Sequence, residues 1–315
     1  MNRNLHFLFL LGSLLLLPAI SQAQKIIFTP QWTPQAQFAG YYVAQDKGFF
    51  REAGLDVDSV HPSASQSALS RIAKNESHAT TLMLPQAMEI IDNGIQLVNI
   101  LQTSMNSGLV IVSRKNEDPL KQKGMRVGAW SVGFDQLPLS MSIKENLDYQ
   151  WIRFVSGINL LLSGAIDATV AMSYNEYYQL VQAGMELTDT NVYRFCDHGY
   201  NVQEDGVYVT REYYEKNREK VHKFAEACKR GWEWAAEHPE ETLDIVMEYV
   251  REYRVDTNRT LQKLMLDEIL RLQLDRESGQ REFRLRPDMV TLMNQLMIEN
   301  QMLINEVKYE DLIAL

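Results

Sequence analysis

An aromatic side chain with amide neighbours follows the first strand-like run of the sequence. Trp32 comes four residues after Phe28, with Gln35 and Gln37 behind it and Tyr41 one turn into the next helix. An indole can stack on a flat ligand, which contributes about 0.5–1.5 kcal/mol beyond the burial of area. Since a core tryptophan needs no polar neighbours, we predict that these four residues contact a small planar molecule. The alternative is that Trp32 only covers the end of a sheet.

A second polar cluster is the serine-rich loop HPSASQS, which precedes a predicted helix. Ser63, Ser65 and Ser67 lie where free backbone N–H groups and the positive end of the helix dipole favour an anion or a carbonyl group. A helix N-cap accounts for one serine and leaves the other two without a structural role. We therefore predict that Ser63 and Ser65 contact the ligand.

Polar residues in the second half of the chain occupy equivalent places after strand-like runs. Ser131, Gly133 and Phe134 follow MRVGAW and precede a helix, and Tyr174 and Glu176 follow DATVAM. Open α/β sheets bind ligands at the carboxyl ends of their strands, so we predict that all five line a cleft. Glu176 can accept hydrogen bonds from an amino group or a protonated ring nitrogen. A helix cap or a surface position would explain the same carboxylate.

Motifs of common enzyme and metal sites are absent from the sequence. It contains no Gly-Lys-Ser/Thr phosphate loop, GxGxxG fingerprint, HExxH helix or GxSxG elbow. His222 and His238 lie in a helical region and form no zinc-ligand pattern. Cys196 and Cys228 are too few for a disulfide framework, and we expect two unpaired thiols. These features predict a protein without catalytic residues, metal or cofactor.

Strand-like and helical runs alternate as far as Thr210, which predicts mostly parallel sheets flanked by helices. One of the predicted helices covers residues 39–50. Beyond Thr210 the sequence is helical, with Pro239 and Pro287 at positions where a first-turn proline is tolerated. The pattern therefore predicts an α/β protein with a helical C-terminal part.

The alternation is long enough for two sheets and therefore for two lobes. The run LVIVSR leaves the first lobe and DGVYVT returns to it, which predicts two hinge crossovers. We place lobe 1 at residues 24–108 and 207–315, with the C-terminal helices packed on it, and lobe 2 at residues 109–206. His198 and Tyr200 precede the returning strand and are predicted to line the mouth of the cleft. Closure of two lobes about such a hinge can trap a ligand.

The N-terminus has the features of an export signal, and the rest of the chain is acidic. Residues 1–23 contain Arg3, an apolar stretch, and small residues before a cleavage site after Ala23. The apolar stretch is shorter than the roughly 20 residues that span a bilayer, so an uncleaved anchor is the weaker alternative. Without Arg3 the chain has 30 basic and 41 acidic residues, a formal charge of −11. Such a chain has no electrostatic attraction to nucleic acid.

Three stretches of the sequence carry a family resemblance. They are WTPQAQFAGYYVAQDKGFFREAGLDV at 32–57, LLSGAIDATVAMSYNE at 161–176 and KFAEACKRGWEWAAEHPEETLDI at 223–245. They resemble periplasmic substrate-binding proteins of the nitrate, sulfonate and thiamine-pyrimidine-precursor group, the NMT1/THI5-like and SsuA-like proteins. The resemblance implies a type II periplasmic-binding fold and delivery of a small molecule to the permease and ATPase subunits of an ABC importer. We expect a monomer outside the cytoplasm.

Within this group the pattern looks closest to proteins that handle the hydroxymethylpyrimidine half of thiamine, or its formylamino and amino relatives. Trp32 matches the tryptophan that is expected, from the resemblance, to stack on the pyrimidine ring. The Asn and His that usually follow Trp-x-Pro in the family correspond here to Gln35 and Phe38. This chain is therefore expected to contact the edge of the ring with different groups.

An enzyme of the same group offers an alternative function. Thiamine pyrimidine synthase needs a lysine and, four residues later, a histidine in the stretch aligned with TTLMLPQAM, together with a cysteine cluster. Those two places are Leu82 and Gln86 here, and the cluster is reduced to Cys196. Without the lysine amine no Schiff base with pyridoxal phosphate can form at that site. We therefore predict a binding protein, with Gln86 among its ligand contacts; a ligand-sensing partner of a membrane receptor is a further alternative.

Overall fold

A computed structural model describes residues 24–63, 65–130 and 134–314 of the chain. The predicted signal segment at residues 1–23 lies outside the described residues. So do two of the predicted ligand contacts, Ser131 and Gly133.

Strands and helices alternate through the first two thirds of the chain, and helices make up the rest. The strands are β1 (Gln24–Thr29), β2 (Leu55–Ser59), β3 (Ala79–Met83), β4 (Leu97–Gln102), β5 (Leu109–Ser113), β6 (Met125–Trp130), β7 (Tyr149–Phe154), β8 (Ala168–Met172), β9 (Val192–Arg194) and β10 (Asp205–Thr210). The helices are α1 (Ala39–Asp46), α2 (Phe49–Glu52), α3 (Ala68–Ala73), α4 (Leu84–Asp92), α5 (Gln136–Lys144), α6 (Asn159–Leu162), α7 (Glu176–Gln182), α8 (Arg211–Lys216), α9 (Arg218–Glu237), α10 (Pro239–Glu252), α11 (Arg259–Leu272), α12 (Pro287–Glu299) and α13 (Tyr309–Leu312).

The strands of the described residues form two five-stranded sheets, one in each lobe. The sheet of lobe 1 has the order β2-β1-β3-β10-β4, and that of lobe 2 has the order β7-β6-β8-β5-β9. The burial of a strand depends on its place in the sheet. The edge strand β2 alternates buried and exposed residues, whereas β3, which has a neighbour on each side, is buried throughout. The two-lobed type II fold expected from the sequence is confirmed.

The sheets are mostly parallel, as the alternation predicted, but each contains one strand that runs against the other four. Strand β10 pairs antiparallel with β3 and β4, and β5 pairs antiparallel with β8 and β9. These are the two strands by which the chain enters each sheet after crossing between the lobes. A crossing strand arrives from the opposite lobe and therefore runs against its neighbours.

The first helix is shorter than the sequence predicted. We expected one helix over residues 39–50, but α1 ends at Asp46 and α2 begins at Phe49. Gly48 lies between them with a φ of 79°, in the left-handed region that glycine adopts at low cost. The apolar spacing continues across this break, so periodicity alone concealed it.

The C-terminal helices pack mainly on lobe 1, as predicted, and two of them also reach lobe 2. Helix α9 buries one face against α1, with Phe224, Cys228 and Trp232 at helical spacing on that face. Helix α11 contacts α7, and α12 contacts α5. The lobes are therefore bridged by side chains of the C-terminal helices as well as by the two crossings.

The two crossings lie side by side and are hydrogen-bonded to each other. Ser104 Oγ accepts from the backbone N–H groups of Glu204 and Asp205, at 2.7 and 2.8 Å. The backbone N–H of Thr103 donates to Asp205 O at 2.9 Å. This pairing makes one hinge from two chain segments. The exact lobe limits at residues 108 and 207 stay a prediction.

Candidate functional site

A cleft of about 380 Å³, counted out to its open mouth, lies between the facing edges of the two sheets. Met83, Trp130 and Met172 line it, and each is the last residue of its strand. The loops that follow these strands supply the other lining residues. A cleft at strand ends, shared by both lobes, is where open α/β sheets bind ligands.

Three aromatic rings form one side of this cleft. Trp32 of lobe 1 meets Phe134 of lobe 2 edge to face, with ring centroids 5.9 Å apart. Phe134 in turn contacts Trp130 at 6.1 Å. Trp32 and Phe134 are partly exposed, whereas Trp130 is buried. The contact across the cleft means that a planar molecule bound here would touch both lobes.

Three glutamines and one aspartate form a connected group on the lobe 1 side. Gln31 Nε2 donates to one carboxylate oxygen of Asp205, and Gln37 Nε2 donates to the other at 2.9 Å. Gln37 Oε1 accepts from Gln35 Nε2 at 2.7 Å. All three glutamines are buried and line the cleft. Gln31 Oε1 has no hydrogen-bond partner among the described residues, which is costly for a buried polar atom unless a ligand or water pairs with it.

Glu176 is the carboxylate of the cleft on the lobe 2 side. One of its oxygens accepts from the backbone N–H of Met172 at 3.0 Å, and the other accepts from Asn175 Nδ2 at 3.2 Å. Burial raises the pKa of Glu176, and these hydrogen bonds partly oppose the rise. Tyr174 is buried beside it and also lines the cleft. These groups present hydrogen-bond acceptors to a ligand.

A histidine behind the cleft holds Trp32 in place. His61 Nδ1 donates to the backbone carbonyl of Trp32 at 2.6 Å, and its Nε2 accepts from the hydroxyl of Tyr42 at 3.0 Å. A carbonyl can only accept, so the proton of the neutral ring is on Nδ1. Burial lowers the pKa of His61 to about 4, so the ring is neutral at physiological pH.

Two adjacent acids lie in the returning crossing, next to the cleft. Burial raises the pKa of Glu204 to about 8 and that of Asp205 to about 6, and each rise is opposed by hydrogen bonds. Glu204 shares a hydrogen bond of 2.5 Å with Ser107 Oγ and accepts from the backbone N–H of Gly108 at 2.9 Å. Glu204 therefore connects the two crossings through its side chain.

The structure brings together six of the predicted ligand contacts and separates six others. Those that line the cleft are Trp32, Gln35, Gln37, Phe134, Tyr174 and Glu176. Ser63 and Ser65 do not line it, because they are exposed on a turn in which Ser63 pairs with Gln66. Ser67 caps α3 by accepting from the backbone N–H of Ser70, so the predicted helix cap is present.

Four more of the predicted ligand contacts do not line the cleft. Tyr41 is buried in the core against Phe28 and Trp232. The side chain of Gln86 accepts from the backbone N–H of Met83 at the start of α4. His198 is exposed and stacks on Tyr193, and Tyr200 is buried with its hydroxyl donated to Glu145. These four predictions are corrected, since each side chain is used by its own local packing or by a helix end.

Several residues that line the cleft were not predicted from the sequence. Met83, Trp130 and Met172 could have been found by extending the strand-end rule to the last residue of each strand. Gln31 directly precedes Trp32 and carried the same signal. Asp205, which lies behind the glutamines, could not be found in this way, because it is the first residue of its strand and only an antiparallel arrangement brings that end close to the cleft.

The part of the chain that the structure describes contains neither a cluster of metal-binding side chains nor a membrane-spanning helix. It holds no group of three or more His, Cys, Asp or Glu side chains that could bind a metal ion. None of its helices is both long and apolar enough to cross a bilayer. The described lining of the cleft also contains no lysine that could form a Schiff base with a cofactor.

A binding protein and an enzyme are among the curated proteins that are similar to this chain. A formylaminopyrimidine-binding protein of Halalkalibacterium halodurans is 24% identical over 232 residues, covering 69% of this chain and 68% of that protein. A 4-amino-5-hydroxymethyl-2-methylpyrimidine phosphate synthase of Saccharomyces cerevisiae is 23% identical over 241 residues, covering 68% of each. A binding protein and an enzyme thus share this sequence pattern.

A solved structure supports the fold, and a family description covers most of the chain. The periplasmic aliphatic sulphonate binding protein SsuA of Escherichia coli superposes with a TM-score of 0.64 at 15% identity, over 93% of this chain and 92% of that one. The family described as NMT1/THI5 like matches residues 35–242. That span includes the first and second crossings and most of the cleft residues, so the resemblance seen in the sequence is confirmed: this chain belongs to the NMT1/THI5-like family.

Proposed function

We propose that this protein binds a small planar nitrogen heterocycle outside the cytoplasm and delivers it to an ABC importer. The observation that carries the proposal is the cleft itself, in which Trp32, Trp130 and Phe134 offer ring surfaces beside buried amide and carboxylate oxygens. Aromatic faces hold a flat molecule, and the oxygens pair with N–H groups on its edge. The hinge beneath the cleft allows the lobes to close around such a ligand.

The ligand we propose is a pyrimidine precursor of thiamine, either hydroxymethylpyrimidine or its amino or formylamino analogue. Such a ring carries an exocyclic nitrogen that can donate to the acceptors of the cleft. The similar protein of Halalkalibacterium halodurans is named for binding formylaminopyrimidine, which supports this ligand class. The permease and ATPase subunits of the importer would be the partners, and we expect the protein to act as a monomer.

The proposal is tested by thermal unfolding with a panel of metabolites. A ligand present at 100 times its Kd stabilises the folded state by about 2.7 kcal/mol through mass action, which raises the melting temperature. We expect hydroxymethylpyrimidine and its amino and formylamino analogues to raise it, and aliphatic sulfonates to leave it unchanged. If no pyrimidine shifts the transition, the proposed ligand class is wrong.

We propose a binding role in preference to the synthase activity of the yeast relative. The two places where that enzyme needs a lysine and a histidine hold Leu82 and Gln86; Leu82 is buried in β3, and Gln86 caps α4. A synthase would acquire an absorbance band on incubation with pyridoxal phosphate. We expect no such band, and its appearance would favour the enzyme.

We further propose that the protein is exported and cleaved after Ala23. N-terminal sequencing of the protein recovered from the extracytoplasmic fraction should begin at Gln24. A start at Met1 would instead favour a retained N-terminal segment. Co-purification with a membrane receptor, in the absence of transporter subunits, would favour the alternative role as a ligand-sensing partner.

A further inference from the structure

A carboxylate, that of Asp205, lies behind two glutamines of the cleft. A glutamine amide can present either its oxygen or its nitrogen to a ligand, and rotation by half a turn exchanges the two. An ionised carboxylate accepts hydrogen bonds and cannot donate them. An amide that faces Asp205 must therefore face it with nitrogen.

Both oxygens of Asp205 are used in this way. Gln31 donates its Nε2 to one, and Gln37 donates its Nε2 to the other at 2.9 Å. The oxygens of both amides consequently point away from Asp205. Gln37 Oε1 then accepts from Gln35 Nε2 at 2.7 Å. Gln35 is therefore also oriented with its nitrogen toward this group and its oxygen away from it.

The glutamines therefore present oxygen acceptors to the cleft, and the donors of the described lining are the Tyr174 hydroxyl, the Asn175 amide and the indole N–H groups of Trp32 and Trp130. Gln31 is only 6% exposed, lines the cleft, and has an Oε1 with no partner among the described residues. The orientation of Gln35 leaves its own Oε1 as the acceptor at the end of the series. Glu176 adds a carboxylate from the opposite lobe, and the described lining contains no lysine, arginine or histidine.

We infer that Asp205 is the positioning residue that makes this cleft select planar rings with an exocyclic N–H donor, neutral or protonated, over anions and over rings that carry a carbonyl in that place. The inference deepens the proposed function, on which it rests, by naming the donor pattern of the ligand. A buried acceptor left facing a ring carbonyl or a sulfonate is unpaired, and this is the source of the discrimination.

The experiment measures binding constants for two matched pairs by calorimetry. The first pair is 4-amino-5-hydroxymethyl-2-methylpyrimidine and its 4-oxo counterpart. The second pair, benzamidine and benzenesulfonate, tests polarity without a pyrimidine. We expect the wild-type protein to prefer the amino ring by at least tenfold, and benzamidine over the sulfonate.

The Asp205→Asn variant should lose this preference. An asparagine has one donor and one acceptor, so one glutamine is free to turn its nitrogen toward the cleft. We expect the amino-to-oxo ratio of affinities to fall at least tenfold.

Gln37→Met removes the hydrogen bond that orients Gln35 and leaves Asp205 in place, so it should also lower the ratio. This variant tests the inference if Asp205→Asn does not fold. Asp256→Asn, at an exposed position on the surface, is the control and should keep the wild-type ratio.

The outcomes separate the two claims. Preference for benzamidine with no binding of either pyrimidine would reject the proposed ligand and leave the polarity inference standing. A wild-type preference for the oxo ring or the sulfonate would overturn the inference. So would an unchanged ratio in the folded variants, or binding of neither member of either pair.

Discussion

Trp32 is the residue of lobe 1 whose ring would contact a ligand together with Phe134 of lobe 2. Its backbone is held by His61, and its ring is partly exposed and meets Phe134 across the cleft. The hydrogen bond from His61 lies within lobe 1 and fixes the backbone of Trp32 whether or not the lobes are closed, which reduces the cost of ordering this residue on binding. Its exposure also means that few core contacts depend on it.

We predict that Trp32→Ala lowers the affinity for hydroxymethylpyrimidine at least tenfold, about 1.4 kcal/mol, because the stacking surface is removed. The fold should persist. Trp234→Ala is a matched control, since that ring is also partly exposed but stacks on His238 at the end of α9. Isothermal titration calorimetry measures the affinities, and circular dichroism checks the fold. Equal affinity of the Trp32 variant and the wild type would mean that the ring only covers the sheet.

Glu204 gives the protein a pH-dependent stability. Its pKa is about 8 in the folded protein against an ordinary 4.5, so the folded state binds the proton more tightly than the unfolded state. The contribution is complete below about pH 4.5 and is lost as the pH rises through about 8. Above pH 7, His61 and Asp205 are already deprotonated in both states, because their folded pKa values are about 4 and about 6.

We therefore predict that the free energy of unfolding, and with it the melting temperature, falls as the pH rises from 7 to 9. Below the folded pKa the free energy of unfolding should fall by up to about 1.4 kcal/mol per pH unit. Glu204→Gln, a neutral side chain of the same shape, should flatten this dependence while keeping the contacts with Ser107 and Gly108. Glu226→Gln on the exposed face of α9 is the control. Parallel profiles for wild type and the Glu204 variant would show that this carboxyl is ionised throughout.

At the scale of elements, two glycines set the distance between α1 and α9. A Cβ atom on Gly231 would lie 2.0 Å from the carbonyl oxygen of Gly40, and one on Gly40 would lie 2.3 Å from the ring of Trp232. Neither contact is possible without separating the helices. Since α1 follows the cleft loop that carries Trp32, this packing supports the site from behind.

We predict that Gly231→Ala destabilises the protein by about 1–3 kcal/mol through overpacking. The higher helix propensity of alanine would favour the opposite change, but it is worth only about 1 kcal/mol. Urea unfolding measures the difference, and Glu226→Ala on the exposed face of the same helix should be close to neutral. A Gly231 variant as stable as the wild type would require a wider separation of α1 and α9.

At the scale of the whole molecule, contacts across the cleft depend on how far the lobes are closed. Gln136 of lobe 2 donates to Glu89 of lobe 1 at 2.8 Å, and Ser173 donates to Glu268 at 2.6 Å. These polar pairs can exchange with water when the lobes separate. The hinge itself retains its hydrogen bonds, because both crossings belong to it.

We predict that a saturating pyrimidine ligand decreases the radius of gyration, since it adds contacts to both lobes and favours the closed arrangement. Small-angle X-ray scattering with and without hydroxymethylpyrimidine measures the change. Trp32→Ala at the same ligand concentration should show a smaller decrease. An identical radius with and without a ligand that calorimetry shows to be bound would mean that the cleft is preformed and rigid.

Local sequence patterns were sufficient for the fold class and for part of the site. Alternating runs predicted the strands, and polar residues after strand ends predicted Trp32, Gln35, Gln37, Phe134, Tyr174 and Glu176 as neighbours. The same rule failed for Ser63 and Ser65, where the loop turns back on itself and exposes both serines. A loop that follows a strand starts at the cleft edge, but its later residues are placed by tertiary contacts.

The sequence by itself determined the two lobes, the two crossings and the aromatic ring at the first strand end, because these follow from short-range periodicity and from residue type. Only the tertiary structure decided which group stands behind the glutamines. Asp205 begins its strand, and an antiparallel pairing with Met83, distant in the chain, brings it to the cleft. Strand direction depends on how the chain returns from the other lobe, and no local pattern encodes that return.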